Sequence, residues 1–302
     1  MRRPYKLISD FDGVWTDQAL EAACVREFAI DALAGITGTA RASIVTDYDA
    51  MVAALVAQPA EHGWAPDGRI SAYVDEDPLC QCSALCRFLE RSTDATPTRW
   101  REAVLAAGHS SLGGFGEHCF HGGTKAFRDA HPACIVAGAR DMLEDLHGAG
   151  AEIVVVSNSA PEKLIAFFAA AGIAAYDHDV PASQAPGALR VRGAAGKWFI
   201  GETDRSITVG GRSIHVDRPR YRALITDERP DLVIGDVFSL DLALPHTMRT
   251  DGDPAAPQTL ALRRHDHTPR WILDGHAGGA IDAVVDQVGD LAAVVASASR
   301  GA

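Results

Sequence analysis

The sequence predicts a three-layer α/β protein, a parallel sheet with helices on both faces, broken by a long helical insert. Three observations carry this expectation. Short apolar runs alternate with helical patterns through the second half of the chain, as they do in parallel sheets. Several of those runs, at residues 5–8, 151–156 and 231–235, stop abruptly in Asp, Ser or Asn. In open α/β sheets the carboxyl ends of the strands are where ligands bind. Finally, the stretch between the first two runs is far longer than an ordinary connection and reads mostly as helix. The expected organisation is a core made of residues 1–17 and 131–302, with an insert over 18–130.

The elements follow in order. Tyr5 to Ile8 has the length and composition of a buried strand, and Gly13 marks the turn after it. Leu20 to Leu33, Ile44 to Ala57, Leu79 to Arg91 and Thr98 to Ala107 have helical periodicity. Residues 108–117 and Gly122 to Lys125 are rich in glycine and predict loop. The second of these lacks the spacing of a P-loop, although Lys125 could reach a substrate from there. A helix starting at Ala139, a stop at Gly148 to Gly150 and a β-branched run from Glu152 resume the core. Next come a helix over Glu162 to Ala171, a short strand over Ala174 to Val180, a loop around Lys197 and a hairpin over Ser206 to Val216. Pro219 suits the first position of a helix over Arg220 to Thr226. Late strands are expected at Thr259 to Leu262 and Arg270 to Leu273. A glycine-rich turn bearing His276 and a helix over Ala280 to Val295 complete the chain.

Composition sets limits. The chain has 302 residues, 47% hydrophobic and 23% charged, which is ordinary for a soluble globular protein and enough for a sizeable core. The formal net charge of −12 argues against a general nucleic-acid binder. No apolar run has the length of a membrane helix, so no membrane partner is expected. The first strand follows at once on Arg2 and Arg3, which predicts no signal peptide and a cytoplasmic protein. The six cysteines do not form a disulfide framework. Cys82 and Cys86 share a helix face, with Cys80 nearby and His118, Cys119 and His121 downstream. The paired spacing of a zinc ribbon is absent, so buried thiols are expected.

The chemistry concentrates at Asp10-Phe11-Asp12-Gly13. Side chains two apart on an extended backbone point the same way, so both carboxylates project together from a strand end. Burying two unpaired carboxylates costs several kcal/mol in order of magnitude unless a cation or a shared proton compensates. A divalent metal does so, and magnesium prefers oxygen ligands. Two later segments supply matching ends. One is Val156-Ser157-Asn158-Ser159. The other is Gly235-Asp236, with Asp241 five residues on.

This set, in this order, resembles the haloacid dehalogenase-like hydrolase superfamily. The resemblance covers residues 1–17 and about 135–300. It implies a Rossmann-like core with Asp10 as nucleophile and Asp12 as general acid/base. Ser157, with Asn158 beside it, corresponds to the phosphate contact. Asp236 corresponds to a direct magnesium ligand and Asp241 to one acting directly or through water, so the implied metal set is Asp10, Asp12, Asp236 and Asp241 with Mg2+ as cofactor. The family also uses a lysine that steadies the phosphate. Lys197 fits it by residue type and Arg218 by place. The two are not equivalent, since Arg offers a planar fork and Lys a compact charge. The insert corresponds to a cap that selects the substrate. Asp12 favours phosphoryl transfer, because the dehalogenase branch lacks this second Asp. The expectation is a phosphatase hydrolysing a small phosphomonoester. The alternatives are a phosphotransferase or mutase on the same fold, or a binding protein that has lost the chemistry. A phosphorylated small molecule meets a repulsive far field here, so a metal and local cations must dominate within a Debye length of about 8 Å.

Overall fold

Strand β1, Lys6–Ser9, sits near the middle of the sheet, and its apolar residues Leu7 and Ile8 are fully buried. A strand covered on both faces reads as a continuous apolar run, which is why this one was legible. The structure is a computed structural model and describes residues 3–132, 134–181, 183 and 188–301. Two compact units are present, Met1–Asp17 with Pro132–Ala302, and Gln18–His131.

The second unit contains α1 (Gln18–Thr37), α2 (Arg41–Ala57), a small antiparallel pair β2 (Gly63–Trp64) and β3 (Ala72–Tyr73), α3 (Gln81–Arg91), α4 (Ala95–Ala106) and α5 (Leu112–Ala130). Its core packs Trp100, Phe115, Tyr48 and Leu85 with the thiols of Cys82, Cys86 and Cys119. The glycine-rich stretch expected as loop is helix α5. Ser111 caps it by accepting the Gly114 N–H at 2.9 Å. The glycines serve close approach rather than turning. A Cβ on Gly123 would lie 2.3 Å from the Val25 Cα, and one on Gly122 would lie 2.3 Å from the Phe28 ring. Lys125 is exposed and pairs with Asp129 one turn along.

The first unit continues from β1 with α6 (Ala139–Gly148), β4 (Glu152–Val156), α7 (Pro161–Ala170), β5 (Ala175–Asp177) and β6 (Leu189–Arg192). Hairpin strands β7 (Ser206–Val209) and β8 (Arg212–His215) pair antiparallel. Then come α8 (Pro219–Glu228), β9 (Leu232–Gly235), a π-turn at Phe238–Leu242, α9 (Ala243–Thr250) and β10 (Thr259–Arg263). The last elements are α10 (Arg270–Leu273), α11 (Gly275–Gly279), β11 (Ala283–Val285) and α12 (Leu291–Gly301). The sheet is seven-stranded and parallel, in the order β11-β10-β9-β1-β4-β6-β5. Leu7 stands opposite both Ile153 and Leu232, so β1 lies between the two strands that carry the other motifs.

Three C-terminal expectations are corrected. Arg270–Leu273 is a helical turn, since Pro269 starts it and the Asp274 N–H closes on the Arg270 carbonyl. A four-residue apolar run suits helix or strand equally well. The stretch expected as helix from Ala280 is strand at Ala283–Val285, in register with Ala261 to Arg263. Gln287 and Asp290 then form a reciprocal cap, and helix begins only at Leu291. Residues 275–279 form the short helix α11 rather than a turn; the side chain of His276 lies outside the described residues.

Candidate active site

β1, β4, β9 and β10 all end at one edge of the sheet, and the polar residues gather there. The ladder runs one residue past β1, because the Asp10 N–H donates to the Ile234 carbonyl at 2.9 Å. The chain then turns. The Trp15 N–H donates to the Phe11 carbonyl, and the Gly13 N–H to Thr16 Oγ1. Phe11 packs edge-on against Phe167 and Phe168 of α7, and Trp15 against Phe168. These rings anchor the turn to the apolar layer. Gly13 has φ +76°, and a Cβ there would lie 2.0 Å from Asp236 Oδ2. Both the backbone and the available space therefore require glycine.

Lys197 is the cation that the fold delivers to the carboxylates. It is almost fully buried. Its Nζ donates to Asp10 Oδ1 at 2.5 Å and to Asp241 Oδ1 at 2.7 Å. Its backbone is held from two sides. Asn158 Oδ1 accepts the Lys197 N–H at 2.8 Å, while an Arg218 Nη1–H donates to the Lys197 carbonyl. Arg218 Nε also donates to the His215 carbonyl at 3.1 Å. Asn158 and Arg218 thus fix the loop that carries the lysine. Burial works to lower the Lys197 pKa, but Asp10 and Asp241 outweigh it and hold the pKa above its ordinary value.

Ser157, at the end of β4, is fully buried, and its Oγ accepts the Ser159 N–H at 3.0 Å. The same oxygen lies 3.5 Å from Asp12 Oδ2. Asp241 sits in the π-turn after β9, a distortion of a kind often found at functional sites. Its Oδ2 accepts the Val237 N–H at 3.1 Å, and its carbonyl accepts the Tyr221 hydroxyl at 3.1 Å. Both Asp241 side-chain oxygens therefore already have partners. Asp236 is the opposite case: both of its carboxylate oxygens are buried with no hydrogen-bond partner.

Asp10, Asp236 and Asp241 each place a carboxylate oxygen within 4.8 Å of the others. The Asp12 side chain lies outside that trio. Burial, then Asp241, pushes the Asp10 pKa well above the ordinary carboxylate range despite Lys197. Burial and Asp241 do the same to Asp236. One lysine does not neutralise three clustered carboxylates. The orphaned oxygens of Asp236 and the all-oxygen donor set suit a hard divalent cation. Magnesium fits this site on its chemistry.

Sequence reasoning overlooked two groups. Tyr221 packs beneath Lys197, with Nζ 5.9 Å from the ring centroid. His265 follows β10, and its Nε2 lies 3.6 Å from Asp236 Oδ2. Burial, then the Arg263 guanidinium, pushes the His265 pKa down to about 4. His267 stacks on His265 at 5.0 Å and is pushed down to about 4 by burial and by that neighbour. The position of β10 beside β9 was the available signal, since residues just past a strand's carboxyl end face the ligand edge.

No family model matches the chain, and no curated protein matches it in sequence. Among solved structures the chain is similar to the magnesium-bound HAD-hydrolase candidate YfnB of Bacillus subtilis, at 14% identity and a TM-score of 0.46, covering 98% of this chain and 100% of that one. It is similar to a 2-haloacid dehalogenase of Pseudomonas syringae pv. tomato DC3000, at 14% identity and a TM-score of 0.44, over 97% and 99% of the two chains. It is also similar to CbbY of Rhodobacter sphaeroides in complex with phosphate, at 12% identity and a TM-score of 0.44, over 95% and 96%. Identities this low leave the reading of the site to its own residues. Among the described residues, no helix is long and apolar enough to cross a membrane.

Proposed function

We propose that the protein is a magnesium-dependent phosphatase of the haloacid dehalogenase-like superfamily, hydrolysing a small phosphomonoester. The observation that carries this reading is the trio of Asp10, Asp236 and Asp241, clustered within 4.8 Å, with Lys197 bridging Asp10 and Asp241 and Asp12 two residues from the nucleophile. Asp10 attacks phosphorus through a carboxylate oxygen, and the bond from phosphorus to the substrate's ester oxygen breaks. Asp12 gives its proton to that oxygen, so the alcohol leaves neutral. Asp12, now a carboxylate, takes a proton from water. The water attacks the aspartyl-phosphate, releasing inorganic phosphate and restoring Asp10. Lys197 keeps Asp10 oriented and offsets phosphate charge. In this reading Ser157 Oγ donates to a phosphate oxygen, and Asn158 acts by holding the Lys197 backbone. Asp10 and Asp236 would hold the metal, with Asp241 beside them. When bound, magnesium supplies charge neutralisation for the phosphoryl group and holds the line of attack.

The test is a screen of purified protein against sugar, nucleotide, amino-acid and glycolytic phosphates, in magnesium or in EDTA, with no added acceptor. Release of free phosphate in magnesium alone supports hydrolysis. Turnover that requires an organic acceptor moves the reading to phosphoryl transfer. A folded Asp10→Asn protein that still releases phosphate overturns the assignment.

A further inference from the structure

The start of α8 reaches the lysine loop and the carboxylate turn at once. Tyr221, the third residue of that helix, is fully buried. Its hydroxyl donates to the Asp241 carbonyl at 3.1 Å, and its ring centroid lies 5.9 Å from Lys197 Nζ. Two neighbours hold the lysine loop beside it. Arg218 donates to the Lys197 carbonyl, and the Arg220 guanidinium lies over the Phe199 ring, 4.4 Å from its centroid. Tyr221 thus links the Lys197 side chain to the turn that carries Asp241.

An ammonium carries three N–H donors. Asp10 Oδ1 takes one from Lys197 and Asp241 Oδ1 another, and among the described residues no further acceptor holds the third. The Tyr221 ring lies at the outer reach of a cation–π contact, so it attracts the charge but is too distant to take an N–H. A polar side chain in its place would compete for that donor. The acceptor side is fixed as well. Asp241 Oδ2 accepts the Val237 N–H, and a Cβ on Gly235 would lie 2.3 Å from the Asp241 Cβ, so the side chain packs against the strand end. With the Tyr221 hydroxyl on its carbonyl, Asp241 has little freedom to shift, and the lysine that bridges it to Asp10 is held with it.

We propose that Tyr221 is a positioning residue for Lys197: its hydroxyl pins the Asp241 turn, and its ring occupies one side of the ammonium without claiming a hydrogen bond, which leaves the third N–H for an oxygen of a bound phosphate. This rests on the reading of the site as one for phosphoryl groups. A donor oriented before the oxyanion arrives needs no reorganisation when it binds. Tyr221 acts through the lysine and needs no contact of its own with the phosphate.

The test is calorimetry on wild type, Tyr221→Phe and Tyr221→Met, first with magnesium alone and then with inorganic phosphate at saturating magnesium. Phe keeps the ring and loses the hydroxyl, while Met fills much of the space and loses both. The expected result is a Kd for phosphate raised about threefold by Phe and about tenfold by Met, with the Kd for magnesium within about twofold of wild type in both. A merely structural role would weaken both ligands together. Wild-type phosphate affinity in either variant overturns the proposal. So does a parallel loss of magnesium and phosphate affinity, and so does an equal phosphate loss in Phe and Met, since the ring would then have no share. If the Met variant does not fold, Phe decides alone by the same comparison of the two ligands. If wild type binds magnesium but no phosphate, or neither, the phosphoryl reading fails and takes this proposal with it. That outcome is distinct from intact wild-type binding with an indifferent Tyr221.

Discussion

The two edges of the same sheet handle carboxylates in opposite ways. At the edge where strands begin, Glu228 is buried yet contacts Lys6, Arg190 and Arg192. Lys6 and Arg190 also reach Glu152, and Arg192 reaches Asp227. Three acids meet three cations, and the Glu228 pKa ends up below its ordinary value although burial alone would raise it. At the edge where strands end, Asp10 and Asp241 share Lys197 while Asp236 beside them has no hydrogen-bond partner, and the pKa of Asp10 and of Asp236 rises. One edge is balanced and contributes to stability. The other gathers three acids around one buried lysine, a mismatch that a retained proton or a bound cation would relieve. A matched cluster reads as structure, and a mismatched one reads as a site.

That contrast can be broken by mutation. The largest expected effect is at the mismatched edge. Asp10→Asn should lower phosphate release on the order of 10^4-fold or more, as losing a nucleophile does, while melting in EDTA stays level or rises because repulsion falls. A clear drop in melting temperature would show that Asp10 is structural. Gly13→Ala comes next. Its Cβ must displace Asp236 at a backbone angle that suits glycine, and a displacement of about 1 Å can cost about 100-fold in rate. Calorimetry should show weakened magnesium binding alongside. At the matched edge the pattern inverts. Glu228→Ala should cost about 1–3 kcal/mol in urea unfolding, less than for a fully buried pair because its partners are partly exposed. Turnover per folded molecule should not change. The smallest effect is on pH dependence. Because the Glu228 pKa is lowered on folding, its contribution is complete above the ordinary value of 4.5 and fades as pH falls through the folded value below it. Glu228→Gln should flatten that acid limb, and an unchanged limb would remove Glu228 from the account.

The features read correctly from sequence were those written locally. A β-branched run stopping at Ser157, or an apolar run stopping at Gly235-Asp236, announces a strand and where it ends. So did Pro219 at the start of α8. What escaped was information held between elements. The glycines of α5 look like loop because their purpose lies across the gap, at Val25 and Phe28 of α1. β6 is four residues long and half arginine, and its identity comes from pairing with β4 and β5. His265 has no motif around it; only the adjacency of β10 and β9 gives it meaning. The choice between Lys197 and Arg218 was also three-dimensional, since each lies in a loop whose direction the sequence does not fix. The fold gives them different tasks, with Lys197 reaching the carboxylates and Arg218 holding its carbonyl.

That grip of Arg218 on Lys197 has a further consequence. It ties the two ends of the intervening chain together, so the β7–β8 hairpin hangs from a closed collar rather than from the lysine itself. Gly210 is seated on Trp271, but Gly211 at the hairpin tip has nothing within 4 Å of where a side chain would begin. The tip is therefore a natural graft point. A fluorescent label or a foreign peptide could be spliced in there, reporting on the protein while the collar keeps the disturbance from the lysine.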